Sequence, residues 1–297
     1  MRLPDFIIIG SAKSATNTLY EYLFRHPQIY MSKPKEPEFF ARDNKYDQGL
    51  ECYASLFQEM QSHQIAGEAS TIYTRYPQFP NCAERIAKNL PNVKLIYIMR
   101  DPIARAYSHY QQEIKGQQNK KIQLKILETF EEKIYRDSMV LDSSNYMLQI
   151  EQYLPLFPRE SFLFIIMDDF LNNIASTLAE VCRFLEVDDK VDLMQENEPI
   201  AANEAKTHAK WFLRSRMTEP LKRIPGVKNL ATLFPQKIRD QVYENFIVNL
   251  PYKQKMEKEY LPQPMLPETR QKLLEYFREP NQRLSEFLAR DLSHWNQ

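Results

Sequence analysis

Residues 95–110, LIYIMRDPIARAYSHY, change character in the middle. The first half, with Lys94 ahead of it, is apolar without interruption as far as Met99. A run of that length, lacking the alternation of a half-exposed strand, predicts a buried parallel strand over 94–99. Asp101 and Pro102 then supply an N-cap and a first helical residue, so a helix is predicted over 102–113. The junction leaves Arg100 at the C-terminal end of the strand and Ser108 about two turns into the helix. A guanidinium can grip a phosphate through two N–H groups, and a serine hydroxyl can add a third bond.

The same alternation recurs along the chain. Strand-like runs at 5–9 and 161–167 precede helix-like segments at 16–25 and 169–185, and 65–68 reads as a fourth strand. Strands that alternate with helices imply an α/β fold: a central parallel sheet of about four to five strands with helices on both faces. Residues 144–158, SNYMLQIEQYLPLFP, carry apolar residues at helical spacing and read as a core-packing helix. From about residue 205 the pattern is helical, with breaks at Pro220, Pro225 and Pro251 and a proline-rich break over 262–267. A final helix over 268–290 places Leu273, Tyr276, Phe277, Leu284, Phe287 and Leu288 on one face. The expected organisation is one domain over 1–297, with an α/β core at 1–190 and a lid plus C-terminal helices at 191–297.

Composition narrows the function. Lys and Arg number 39, as do Asp and Glu, so no net charge draws the chain to nucleic acid or an anionic membrane. Any anion site must be a local concentration of cations and backbone N–H groups. Cys52, Cys82 and Cys182 are odd in number and widely spaced, with no CxxC, and read as reduced structural thiols. The apolar run at 6–9 is too short for a signal peptide, and no run is long enough to span a bilayer. A cytoplasmic protein is expected. The Lys/Gln-rich stretch 115–125 reads as an exposed excursion, and no repeat is visible.

A second anion site is predicted at the turn after the first strand. There GSAKSATNT, residues 10–18, places Gly10 at the bend, Lys13 as a cation, and the hydroxyls of Ser14, Thr16 and Thr18 at a helix start. A Walker loop would need Gly-Lys-Ser/Thr after a four-residue gap, which is absent. The shorter turn suits one phosphate and its attached group better than a magnesium triphosphate.

The turn resembles the 5′-phosphosulfate loop of the sulfotransferase family, Gly-x-x-Lys-x-Gly-Thr-Ser/Thr-Ser/Thr. The Arg-Asp-Pro…Ser pattern of Arg100 and Ser108 resembles that family's 3′-phosphate site. The resemblance implies a P-loop-like fold and 3′-phosphoadenosine 5′-phosphosulfate as donor, with adenosine 3′,5′-bisphosphate as product. It implies donor contacts from Gly10, Ser11, Ala12, Lys13, Ser14, Ala15, Thr16, Asn17 and Thr18, and from Arg100 and Ser108. Two departures are Ala15, where the family has Gly, and Asn17, where it has Ser or Thr. Ala15 is strained if that position needs positive φ, and carries no penalty if it is already helical.

KPKEPEFF, residues 33–40, resembles the Lys-Glu-x-x-Phe-Phe signature of the carbohydrate-directed members. By that match Glu36 is the base, with Glu38 the next candidate. Lys13 would neutralise the leaving oxygen, and Lys35 would stabilise the equatorial sulfo oxygens or lower the pKa of Glu36. GEASTIY, residues 67–73, resembles a family segment at the acceptor or donor pocket, with Glu68 and Ser70 as polar contacts; a strand end with a capping serine is the alternative. Tyr146 is a further nucleotide candidate. Residues 197–216 resemble the family's lid, where Asn203, Lys206, Arg214 and Arg216 could contribute, or could simply face solvent. Trp211 and Trp295 read as packing residues. None of His26, His63, His109, His208 and His294 sits in a Lys-x-His context, and no HExxH suggests a metal. Two other readings stay open. One is a P-loop kinase with Asp168 or Asp169 holding magnesium; the other is a non-catalytic nucleotide-binding protein. The acceptor could be a carbohydrate, lipid, polyketide or small phenol, sulfated at oxygen or nitrogen, and the oligomeric state is left open.

Overall fold

A computed structural model describes residues 1–119, 128–194 and 264–297, with only the helical backbone described over 115–119. The described residues fall into two compact units. Met1–His109 and 134–194 belong to the first with Leu266–Gln297, and 110–119 with 128–133 belong to the second.

The first unit is built on five parallel strands: β1 (Phe6–Gly10), β2 (Ile29–Met31), β3 (Ile65–Ala69), β4 (Lys94–Met99) and β5 (Phe162–Ile166). Their order across the sheet is β2-β3-β1-β4-β5. Strand β1 therefore lies between β3 and β4; the connection after β1 runs past β3 to β2, and the connection after β3 runs the other way, past β1 to β4. That reversal opens a crevice beyond the C-terminal ends of the strands, where open α/β sheets take their ligands. Both predicted anion turns, after β1 and after β4, lie at that edge. The strand missed in the sequence, β2, is only Ile29, Tyr30 and Met31. Three residues make no apolar run, and pairing with β3, Ile29 to Ile65 and Met31 to Gly67, defines it instead.

The helices are α1 (Thr16–Phe24), α2 (Asp43–Tyr46), α3 (Leu50–Ala54), α4 (Cys82–Asn89), α5 (Pro102–Asn119) and α6 (Phe130–Arg136). They continue with α7 (Met139–Asp142), α8 (Tyr146–Ile150), α9 (Met167–Asn172), α10 (Ile174–Leu185) and, from 267, α11 (Pro267–Leu288). Helix α5 begins where Asp101 caps it, accepting from Ala104 N at 2.5 Å. It runs to Asn119, into the stretch expected as an excursion; residues 120–127 lie outside the described ones. The helix expected over 169–185 is two, divided at Asn173, whose side chain accepts from Ser176 N at 3.4 Å and caps α10. Residues 144–158 hold one short helix, α8, followed by turns.

Alternate strand residues face opposite ways. Ile7, Ile9, Leu95, Tyr97 and Met99 form one core with Phe39, Phe40, Tyr53, Tyr146 and Trp295. Phe6, Ile8, Ile96 and Ile98 form the other with Leu19, Leu23 and Val181. Fully burying side chains of this size contributes about 1.5–3 kcal/mol each. Helix α11 buries Leu273, Phe277 and Leu284, and the chain after it buries Leu292 and Trp295. Tyr276, expected on its buried face, is 47% exposed. Cys82 and Cys182 are buried and Cys52 is exposed, all as free thiols. No helix among the described residues is long and apolar enough to cross a membrane.

Candidate active site

The turn after β1 is held from below. Ser11 donates from N to Ile98 O at 2.8 Å and from Oγ to the same carbonyl at 3.0 Å. Its Oγ also lies 2.6 Å from Ser14 Oγ. With the Ser11 proton committed to Ile98, Ser14 must be the donor in that pair. Both hydroxyl protons are thus used inside the protein, and both side chains are buried. These serines shape the turn. Helix α1 makes its first turn with Leu19 N to Ala15 O at 3.1 Å. The N–H groups of Thr16, Asn17 and Thr18 precede that bond and open at the helix N-terminus, where the dipole favours an anion.

Gly10 and Ala15 settle two sequence questions. A Cβ on Gly10 would lie 2.2 Å from Thr74 Oγ1, which itself donates to Ile9 O at 3.0 Å. Only glycine fits there. Ala15 has φ 62° and ψ 21°, the left-handed region, and so does Lys13 at φ 76°. The position therefore does demand positive φ, and alanine carries a strain there that glycine would avoid.

Arg100 reaches back to this turn. Its Nη1 donates to Lys13 O at 3.1 Å, while its Nε is buried with no acceptor among the described residues. The Tyr146 hydroxyl clamps its peptide groups, accepting from Arg100 N at 3.3 Å and donating to Arg100 O at 2.9 Å. Tyr146 is buried, so its part is to set Arg100. Ser108 is half-buried on α5, three residues beyond Arg105. Arg105 itself, which the sequence reading passed over, is fully buried and reaches Ser144 Oγ and Val140 O, each at 2.6 Å. Its signal was present as a charged residue between the apolar helix positions Ile103 and Ala106.

The loop carrying Glu36 joins the same edge. Ser32 N donates to Gly67 O at 2.8 Å and Glu36 N to Ala69 O at 3.0 Å, so the loop runs on beside the end of β3. Glu36 has positive φ, 57°, and accepts from Thr71 Oγ1 at 3.4 Å. Lys35 links the loop to α1: its Nζ bonds Asn17 Oδ1 and lies 3.9 Å from Glu36 Oε1. Burial lowers the Lys35 pKa, and the charges of Glu36 and Glu21 offset this in part. Asn17, where the family has a hydroxyl, thus gains a partner from the loop that carries Glu36.

Glu38 is otherwise engaged. It pairs with Arg42, and Lys45 Nζ lies 3.6 Å from it. Burial works against its charge, but the hydrogen bond and charge of Arg42, with Lys45 and Arg75, outweigh it and hold the carboxyl below its ordinary value. Glu68 and Ser70, expected as polar contacts of the pocket, are fully buried beneath this loop. Ser70 Oγ accepts from Glu38 N at 3.1 Å. Burial pushes the Glu68 carboxyl up to about 8, despite the nearby Tyr73 and Tyr53 hydroxyls. Neither of its oxygens has a partner at hydrogen-bond geometry among the described residues. Tyr73 in turn accepts from Phe40 N at 3.3 Å. No group of three or more His, Cys, Asp or Glu side chains among the described residues could hold a metal. The lid candidates Asn203, Lys206, Arg214 and Arg216, together with Trp211 and His208, lie outside the described residues.

Known proteins share this domain and fold. A sulfotransferase domain is matched over residues 3–212. The membrane-associated sulfotransferase kil1 of Dictyostelium discoideum is 36% identical over 145 residues, 48% of this chain and 29% of that protein. Human heparan sulfate glucosamine 3-O-sulfotransferase 3B1 is 32% identical over 193 residues, 62% of this chain and 46% of the other. Human heparan sulfate glucosamine 3-O-sulfotransferase 5 is 29% identical over 195 residues, 64% of this chain and 55% of the other. The chain thus spans about half the length, or less, of these curated relatives. Two solved structures share the fold. The sulfotransferase of Alicyclobacillus acidocaldarius has a TM-score of 0.66 at 21% identity, covering 100% of both chains. The sulfotransferase domain of the curacin biosynthetic pathway has a TM-score of 0.51 at 17% identity, covering 98% of this chain and 100% of that one. With more than half of its length matched to that domain, this chain belongs to the sulfotransferase family.

Proposed function

We propose that this chain moves a sulfo group from 3′-phosphoadenosine 5′-phosphosulfate to an acceptor hydroxyl or amine, releasing adenosine 3′,5′-bisphosphate. The observation that carries the reading is the 3.1 Å bond from Arg100 Nη1 to Lys13 O. It places the two anion turns side by side at one sheet edge, as a ligand with anionic groups on both sides of its ribose requires. The residues present suit that ligand. Arg100 keeps a buried N–H without an acceptor among the described residues, and the α1 N-terminus offers backbone N–H groups.

Arg100 and Ser108 hold the 3′-phosphate in this reading, and the 10–18 turn holds the 5′ side. Lys13 neutralises charge developing on the leaving oxygen. Glu36 takes the acceptor proton, and Lys35, bonded to Asn17, holds that carboxylate near the turn and can neutralise sulfo oxygens. Glu36 is preferred to Glu38 because Glu38 is committed to Arg42 and Lys45. No metal is needed in this scheme. A carbohydrate is the first acceptor to test, because relatives 29% and 32% identical are named for heparan sulfate glucosamine. The three free thiols suit a reducing, cytoplasmic setting.

Titration calorimetry with adenosine 3′,5′-bisphosphate in the presence of a chelator tests the donor site. Binding without magnesium is expected; ATP binding that requires magnesium would return the kinase reading. Glu36→Gln then tests catalysis. It should leave bisphosphate affinity unchanged and lower turnover by a factor of roughly 10²–10⁴. Unchanged turnover removes Glu36 from the role of base.

A further inference from the structure

Arg105 is a buried charge with no acidic partner among the described residues. Its side chain is 0% exposed, and its acceptors are Ser144 Oγ and Val140 O, each at 2.6 Å, and Ala12 O at 3.5 Å. All three are neutral. Among the described residues no carboxylate pairs with it. Taking an ion out of water costs several kcal/mol, and neutral hydrogen bonds recover only part of that. A guanidinium used only to join α7 to α5 would be a costly choice, since a neutral donor could make bonds of the same kind.

Its charged surroundings point to what offsets the cost. Burial pushes the Arg105 pKa down to about 10; Tyr146 and Tyr97 beside it offset part of that, and the positive charges of Arg75 and Arg100 add to the fall. Arg100 is bonded to Lys13 O, and Arg105 reaches Ala12 O, the carbonyl just before it. Two guanidiniums thus stand under consecutive peptide carbonyls of one turn, the turn that carries Lys13. Inside a protein the field of such a charge is little screened by water.

We propose that Arg105 is a positioning residue for the donor: it supports the turn through Ala12 and supplies a buried positive charge that the phosphates of the bound nucleotide neutralise. The inference rests on the donor reading given above. It differs from that reading in assigning part of the affinity to a charge that never touches the ligand. Replacing the charge should therefore weaken anion binding without weakening the empty protein in proportion.

The test uses the full chain and three ligands: adenosine 3′,5′-bisphosphate, adenosine 5′-monophosphate and adenosine. Arg105→Gln is expected to lower bisphosphate affinity about 10–100-fold and monophosphate affinity less, with adenosine affected within about threefold. Its melting temperature without ligand should stay level or rise, because an uncompensated buried charge is gone. Arg105→Lys keeps the charge and loses the fork of hydrogen bonds, and should hold bisphosphate affinity within about threefold. Equal losses for all three ligands, or an Arg105→Lys loss as large as that of Arg105→Gln, would make the role structural and overturn the proposal. If Arg105→Gln does not fold, Arg105→Lys decides alone: affinity within about threefold supports it, and a loss of tenfold or more overturns it. Wild-type protein that fails to bind the bisphosphate sinks the donor reading instead. Wild-type binding matched by Arg105→Gln sinks only this inference.

Discussion

Removing one hydroxyl, in Tyr146→Phe, should cost both stability and donor affinity. That oxygen makes two bonds to the Arg100 backbone, one accepted at 3.3 Å and one donated at 2.9 Å, and its side chain is 2% exposed. A net hydrogen bond contributes about 0.5–1.5 kcal/mol, and a peptide group left unpaired in a buried site costs about 1–3 kcal/mol. Water can reach part of Arg100, so we expect about 1–2 kcal/mol, a fall in melting temperature of about 2–4 °C. The same change frees the strand end that aims the Arg100 guanidinium. If that freedom costs about 1.4 kcal/mol on binding, bisphosphate affinity drops about tenfold. Tyr153→Phe is the control. Its hydroxyl donates to Tyr73 O at 2.8 Å in the same core, away from Arg100. It should lose comparable stability and no donor affinity. Differential scanning calorimetry and titration with the bisphosphate read the two quantities. Equal affinities for the two variants would refute the claim that Tyr146 acts through Arg100.

Gly10→Ala should lose several kcal/mol of stability or fail to fold, because its Cβ meets Thr74 Oγ1 at 2.2 Å; a melting temperature within about 1 °C of wild type would contradict this. Lys13→Ala should cut turnover about a hundredfold or more, and a change confined to KM would remove Lys13 from the leaving oxygen. Glu68 gives a pH signature. Its folded pKa of about 8 exceeds the ordinary 4.5, so the folded state holds the proton more tightly. The stability this adds is full below about 4.5 and is lost as pH rises through about 8, with a slope of up to ~1.4 kcal/mol per pH unit. Glu68→Gln should flatten that decline in denaturant melts between those limits, and a wild-type slope retained by the variant would show that another group titrates.

Four of the five strands and the two strand-to-helix turns after β1 and β4 were legible in the sequence because each signal is local. An apolar run such as 94–99 needs burial wherever it lies, and Asp101-Pro102 opens a helix by its own backbone chemistry. β2 was not legible, because three residues become a strand only when a neighbour pairs with them. The division of 169–185 at Asn173 was missed because the apolar periodicity runs through it, while the cap that breaks the helix depends on one side-chain bond.

The sequence by itself determined that this chain is α/β, that Lys13 and Arg100 each lie between a strand and a following helix, and which motifs the family shares. Only the tertiary structure decided what those turns do together. Strand order brings β1 beside β4, and thereby Arg100 onto the Lys13 carbonyl across 87 positions of sequence. It buried Glu68 and Ser70 beneath the loop that carries Glu36, left Arg105 buried without an acid among the described residues, and made Ala15 left-handed. Each of these is a matter of burial or of partners distant in the chain. Such energies depend on which atoms displace water around a group, and a residue's sequence neighbours do not fix that.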